Sequence, residues 1–168
     1  MGGRKRLDPA DINVPEMAHD VPKGYPVEFW EQHRFDFVAH VFGPVMSSPR
    51  PRVTSRGTFM PADYRKHCDK LSASLAYCRG LYEAKHGSWA CDSKMTLDLA
   101  FWCPKMPGDI DNLSKTVMDA GQLKKSEPPG AQLWTNDRQI VALSAEWIPV
   151  EDDFDWQTVV RIRLQKDA

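Results

Sequence analysis

The segment Met95-Thr96-Leu97-Asp98-Leu99-Ala100-Phe101-Trp102, followed by Ile110 to Gln122, decides how this chain reads. In the first part Met95, Leu97, Leu99 and Phe101 alternate with Thr96, Asp98, Ala100 and Trp102, the period of a β-strand. Pro104 and Pro107 close it. In the second part Ile110, Leu113, Val117 and Ala120 gather on one arc of a helix turning 100° per residue. Asp111, Lys115 and Asp119 gather on an arc almost opposite. A strand therefore leads into a short helix that buries one side and presents carboxylate, ammonium and carboxylate on the other.

Upstream, Pro61 opens a long helix with Tyr64, Cys68, Leu71, Leu75, Cys78 and Tyr82 on one stripe. Such a stripe is the face laid on a sheet, or else a dimer seam. Lys85, His86 and Gly87 stop it. A strand beginning at Phe35 has Phe37, Ala39 and Val41 at alternate positions and ends at Gly43-Pro44. Between that strand and the helix, residues 49 to 57 read as a basic loop carrying Arg50, Arg52 and Arg56. Downstream, Gln139 to Ile148 and Trp156 to Leu164 are two further strands. Lys124 to Gly130 forms a proline-containing loop, and Glu151 to Asp155 an acidic turn. The order strand, long helix, strand, short helix, strand, strand is α+β: a single domain with a mixed β-sheet and both helices mainly on one face. Residues 1 to 33 carry recurrent prolines without periodicity and read as an N-terminal extension, leaving 34 to 168 as the domain.

The 168 residues suit one domain with a sizeable core, and a composition of 42% hydrophobic and 27% charged excludes a disordered or fibrous chain. No apolar run has the length of a membrane helix, and the opening Met-Gly-Gly-Arg-Lys-Arg is no signal peptide. Cys68, Cys78, Cys91 and Cys103 form no CxxC pair, so reduced thiols in a cytoplasmic setting are expected. The formal net charge of −1 conceals segregation. Residues 50 to 85 hold eight basic residues against three acidic ones, whereas residues 101 to 168 hold eight basic against eleven acidic. Arg50, Arg52, Arg56, Arg65 and Lys66 are thus the candidate phosphate-tracking surface.

Chemistry concentrates at Asp109 to Asp119. Asp109 sits where a helix cap is favoured, and Asp111 and Lys115 at i, i+4 are also what an ordinary surface pair looks like. A second acidic element, Asn136-Asp137-Arg138-Gln139-Ile140, precedes the next strand, from where Asp137 is expected to face Asp109 and Asp111 across the mouth of the sheet. Crowded carboxylates repel unless a cation joins them, and such hard oxygen ligands suit Mg²⁺, with Mn²⁺ as a substitute. Trp134, three residues before Asp137, is a candidate for contact with an unstacked base.

The motifs Asp109-Ile110-Asp111-Asn112-Leu113 with Lys115 and Asp119, then Asp137 with Gln139-Ile140, resemble those of the RusA family of Holliday junction resolvases. Arg50-Pro51-Arg52-Val53-Thr54, Gly57 and Pro61-Ala62-Asp63-Tyr64 are similar to the family's N-terminal pattern. The resemblance spans Phe35 to Leu164. It implies a Mg²⁺- or Mn²⁺-dependent homodimeric endonuclease that nicks four-way DNA junctions symmetrically. It also implies Asp109, Asp111 and Asp137 as catalytic metal-holding acids, Lys115 as the catalytic lysine and Asp119 as a further acidic position. Two other functions compete with this one: a catalytically silent junction-binding module, and a Mg²⁺-dependent nucleotide pyrophosphatase. The second predicts glutamates at ExxE spacing, which are missing around the acidic cluster.

Overall fold

A computed structural model describes residues 35–122, 130–151 and 155–165. The N-terminal extension over residues 1 to 33, most of the Lys124 to Gly130 loop and part of the acidic turn lie outside the described residues. The elements are β1 (Phe37–Phe42), β2 (Arg52–Thr54), β3 (Gly57–Phe59), α1 (Ala62–His86), β4 (Met95–Trp102), α2 (Ile110–Gly121), a 3-10 turn (Asp137–Gln139), β5 (Ile140–Ile148) and β6 (Gln157–Leu164). The expected α+β architecture is present: a mixed four-stranded sheet in the order β1-β6-β4-β5, covered by both helices.

The register explains the core. Phe37, Ile162, Leu97 and Leu143 form one row across the sheet, and Ala39, Val160, Leu99 and Ala145 the next. Residues of β1, β6 and β4 in these rows are buried beneath the helices together with Leu71, Leu75, Leu113 and Val117. The α1 stripe Tyr64, Cys68, Leu71, Leu75 and Cys78 is buried within this one chain, so it is the face laid on the core and not a dimer seam. Gly87 ends α1 with φ of 86° and returns its N–H to the Glu83 carbonyl, a conformation that favours glycine.

Two details differ from the sequence reading. Ala100 and Trp102, at the outward positions of β4, are buried in a smaller cluster with Val38 and Val159 on the opposite face. Beside that cluster the fully buried Arg161 on β6 is held by Asp98 of β4 at 2.6 Å and Glu146 of β5 at 3.3 Å, the pairing a buried guanidinium requires. The basic loop is a hairpin. β2 and β3 pair antiparallel with Arg52 opposite Phe59, and the Thr54 hydroxyl accepts from the Arg56 N–H to close the turn. Three-residue strands exposed on every side carry no apolar alternation, so the pattern that reveals β4 is missing here.

β4 and β5 are parallel neighbours, and α2 is their crossover. A helix joining parallel strands must run back from the end of the first to the start of the second. That direction sets the layout of the acidic residues.

Candidate active site

At the start of α2, Asp109 occupies the N-cap position but makes no side-chain cap hydrogen bond. Asp111 lies in the first turn, and both aspartates are exposed. The positive end of the helix dipole favours two carboxylates there. Neither is spent on an internal bond among the described residues: Asp109 holds the expected N-cap position without making the cap bond.

Lys115 turns toward the helix C-terminus. Its Nζ lies 3.5 Å from Asp119 Oδ1, so the i, i+4 pair is Lys115–Asp119 rather than Asp111–Lys115. The other Asp119 oxygen accepts the hydroxyl of Tyr64 on α1 at 2.9 Å. Burial pushes the Tyr64 hydroxyl well above the usual phenol range, keeping it protonated and able to donate. Asp119 is therefore a tie between the helices that also orients Lys115. Tyr64→Phe should lower the unfolding free energy by about 1.5 to 3 kcal/mol, read from the urea midpoint, because it removes one hydrogen bond to a charged acceptor.

Asp137 is the first residue of the 3-10 turn, and its neighbours are tightly bonded. The Asn136 side chain accepts from the Arg138 N–H at 2.9 Å. Gln139 Oε1 accepts from the backbone N–H of Asn136 at 2.8 Å and of Thr135 at 2.9 Å. Its Nε2 donates to the carbonyls of Cys91 at 2.7 Å and Ser93 at 3.0 Å. Gln139 thus clamps the turn to the segment preceding β4. The sequence shows it as part of a motif; its role depends on carbonyls some 46 residues away and becomes visible only in the fold. Within this turn Asp137 Oδ1 is buried and has no hydrogen-bond partner among the described residues. Buried acceptors are rarely left this way without a reason.

The two acidic elements sit at opposite ends of α2. Asp109 follows the C-terminal end of β4, where the Cys103 N–H bonds the Ile148 carbonyl. Asp137 precedes β5, beside the last turn of α2, where Leu133 N–H bonds the Gly121 carbonyl and Gln122 bridges to Trp134. A 12-residue helix spans ~18 Å, so the parallel crossover holds Asp137 away from Asp109 and Asp111 in one chain. Accordingly, no three His, Cys, Asp or Glu side chains gather into a metal-holding group among the described residues. The donor chemistry suits a hard divalent cation, with bond-free carboxylates on Asp109 and Asp111 and an orphaned acceptor on Asp137. One copy of the chain does not bring them together.

Trp134 is not placed to meet a base. It is completely buried, and its ring packs on Gly121 so closely that a Cβ there would collide with it. Among the basic residues, Arg50, Arg52, Arg56, Arg65 and Lys66 are all exposed, with Arg50, Arg52 and Arg56 on or beside the β2–β3 hairpin. Arg79 is committed internally: it donates to the Gln132 carbonyl at 2.8 Å and pairs with Glu83 at 3.0 Å, pinning the segment before Leu133.

No helix among the described residues is long and apolar enough to cross a membrane. No individual curated protein matches the chain. The family described as Endodeoxyribonuclease RusA does match, over residues 43–164, a span that takes in the hairpin, both helices and both acidic elements. With most of its length matched and the family's acidic motifs in place on α2 and before β5, this chain belongs to the RusA family of endodeoxyribonucleases.

Proposed function

We propose that this protein resolves four-way (Holliday) DNA junctions in the cytoplasm, acting as a homodimer that makes paired symmetric nicks with Mg²⁺ or Mn²⁺. The observation that carries the reading is the set of carboxylates unspent among the described residues: Asp109 and Asp111 without internal bonds, and Asp137 Oδ1 buried without a partner. Family membership supplies the substrate class, DNA, and the reaction class, phosphodiester hydrolysis.

A homodimer suits this substrate, since two nicks at a two-fold junction call for two sites related by the same axis. It also resolves the separation of the acids: Asp109 and Asp111 of one copy and Asp137 of the other would together hold the cation. When bound, a divalent ion activates water and offsets charge on the phosphodiester. The chain's own residues do the rest. Asp119 holds the Lys115 ammonium along α2, where it neutralises charge building on the scissile phosphate. Arg50, Arg52 and Arg56 on the projecting hairpin, with Arg65 and Lys66 on the first turns of α1, track the flanking phosphates.

The test compares a labelled four-way junction, linear duplex and nucleoside triphosphates in Mg²⁺, Mn²⁺ or EDTA. Symmetric metal-dependent nicks confined to the junction are expected. Asp111→Asn should cut them by about a hundredfold or more while junction binding persists. Binding without cleavage under every metal condition would show a silent binding module. Pyrophosphate release without nicking would show a nucleotide pyrophosphatase.

A further inference from the structure

The β2–β3 hairpin is held at both stems against the helix that carries Asp109 and Asp111. On the leading stem the Ser48 N–H bonds the Asn112 carbonyl at 3.1 Å, and Ser47 packs so closely on Gly108 that a Cβ there would collide with it. The trailing stem passes through Pro61 into α1, whose Tyr64 donates to Asp119. Beyond these ties every residue of the two strands is exposed. Residues 49 to 62 hold three arginines, no acid and a single aromatic ring, Phe59, which is 51% exposed.

A lone exposed apolar side chain needs no explanation, but the surroundings of this one select a ligand. Phe59 lies opposite Arg52, and directly opposed residues of an antiparallel pair share one face. The next residue of β3 on that face is Gly57, so no side chain rises from there over the ring. An aromatic ring and a guanidinium on one surface are what holds a nucleic-acid base by its flat face. We infer that Phe59, flanked by Arg52, stacks on a base left unstacked at the branch point and is the residue that tells a junction from continuous duplex. Phe59 takes this role only if the protein acts on junctions, as proposed above.

Charge favours DNA over another protein surface. Arg50, Arg52 and Arg56 surround the ring with positive charge that matches phosphate and would repel a second copy of the same hairpin. Arginines on phosphates hold duplex and junction alike, because phosphate contacts carry no information about the bases. The ring acts differently. In continuous duplex each base is covered on both sides by its neighbours, whereas strand exchange at a branch point interrupts the stack, and only there does a ring find a bare base. The reach is also right. Arg52 stands four residues beyond Ser48, at most ~14 Å of extended chain, which is about four base steps of a duplex strand. The hairpin thus places Phe59 at a set distance from Asp109 and Asp111, so that recognition of the branch positions the cut.

The test measures fluorescence anisotropy of the full chain with a labelled four-way junction and a linear duplex of the same sequence, in EDTA so that no strand is cut. The wild type should prefer the junction. Phe59→Ala should weaken junction binding about 5- to 150-fold, the cost of one base–aromatic stack, and leave duplex binding unchanged. Phe59→Leu, apolar but without a ring, should lose as much, whereas Phe59→Trp should keep the wild-type preference. All three should retain the wild-type urea midpoint, since Phe59 is exposed. An equal loss on junction and duplex, or no loss on either, overturns the inference. So does a Phe59→Leu chain that binds like wild type, or a Phe59→Trp chain that binds like Phe59→Ala. A lowered urea midpoint in Phe59→Ala, or a wild type without junction preference, overturns it as well. Cleavage is read separately. A protein that prefers junctions through Phe59 and cuts none in Mg²⁺ or Mn²⁺ overturns only the proposed activity. One that cuts junctions while Phe59→Ala keeps the full preference overturns only the role of Phe59.

Discussion

Asp111→Asn and Asp137→Asn chains, each inactive alone, should regain junction nicking when mixed in equal amounts and allowed to exchange subunits. The expectation follows from the direction of α2. A helix of 12 residues between parallel strands separates Asp109 and Asp111 from the Asp137 of the same chain. If each site draws its α2 carboxylates from one copy and Asp137 from the other, a hybrid dimer concentrates both lesions in one site and leaves the second intact. Random exchange makes half the dimers hybrid, so about a quarter of the wild-type number of sites is restored. A hybrid cuts one strand, so nicked junctions should accumulate on the gel in place of resolved duplexes. Sites assembled within single chains would give every site a lesion, and the mixture would stay as inactive as its parts. Against a hundredfold loss in either parent, recovery to a quarter is a large signal.

How much of this was legible beforehand differs from element to element. Alternation at Met95, Leu97, Leu99 and Phe101 and the 3.6-residue arc of Ile110, Leu113, Val117 and Ala120 place β4 and α2 correctly, because burial on one face imposes those periods. They also put Asp111, Lys115 and Asp119 on the outer face of α2. Local pattern does not reveal whether the next strand lies parallel or antiparallel to β4. That choice decides which end of the sheet receives Asp137, and the expectation that it faces Asp109 and Asp111 within one chain fails on it. The partner of Lys115 was also ambiguous, since Asp111 and Asp119 are equally spaced from it. What selects Asp119 is the buried Tyr64 hydroxyl on α1, 55 residues away, which fixes that carboxylate in reach. The β2–β3 hairpin stayed hidden for a different reason: it packs on nothing that would leave an apolar rhythm.

Trp134 shows how proximity to a motif misleads. Three residues before an acidic site residue, an aromatic ring invites a role in base stacking. The fold instead uses it as the wedge between the end of α2 and the turn that carries Asp137. Gly121 makes room for the ring, Leu133 N–H bonds the Gly121 carbonyl at 2.9 Å, and the Trp89 indole donates to the Leu133 carbonyl at 2.8 Å. Trp134→Ala removes the largest fully buried side chain among the described residues and should lower stability by about 3 to 5 kcal/mol, measured from the urea midpoint. Gly121→Ala presses from the other side. Its new methyl must displace the ring, an overpacking that costs about 1 to 3 kcal/mol. The two effects should not add, since once the ring is gone the methyl enters the space it leaves, and Trp134→Ala with Gly121→Ala should be no less stable than Trp134→Ala alone. A Trp134→Ala protein that keeps its urea midpoint and loses only junction affinity would reinstate the stacking role. Because the wedge also sets the height of the Asp137 turn, nicking by Gly121→Ala should fall below wild type under conditions where the variant remains fully folded, with its affinity for the junction unchanged.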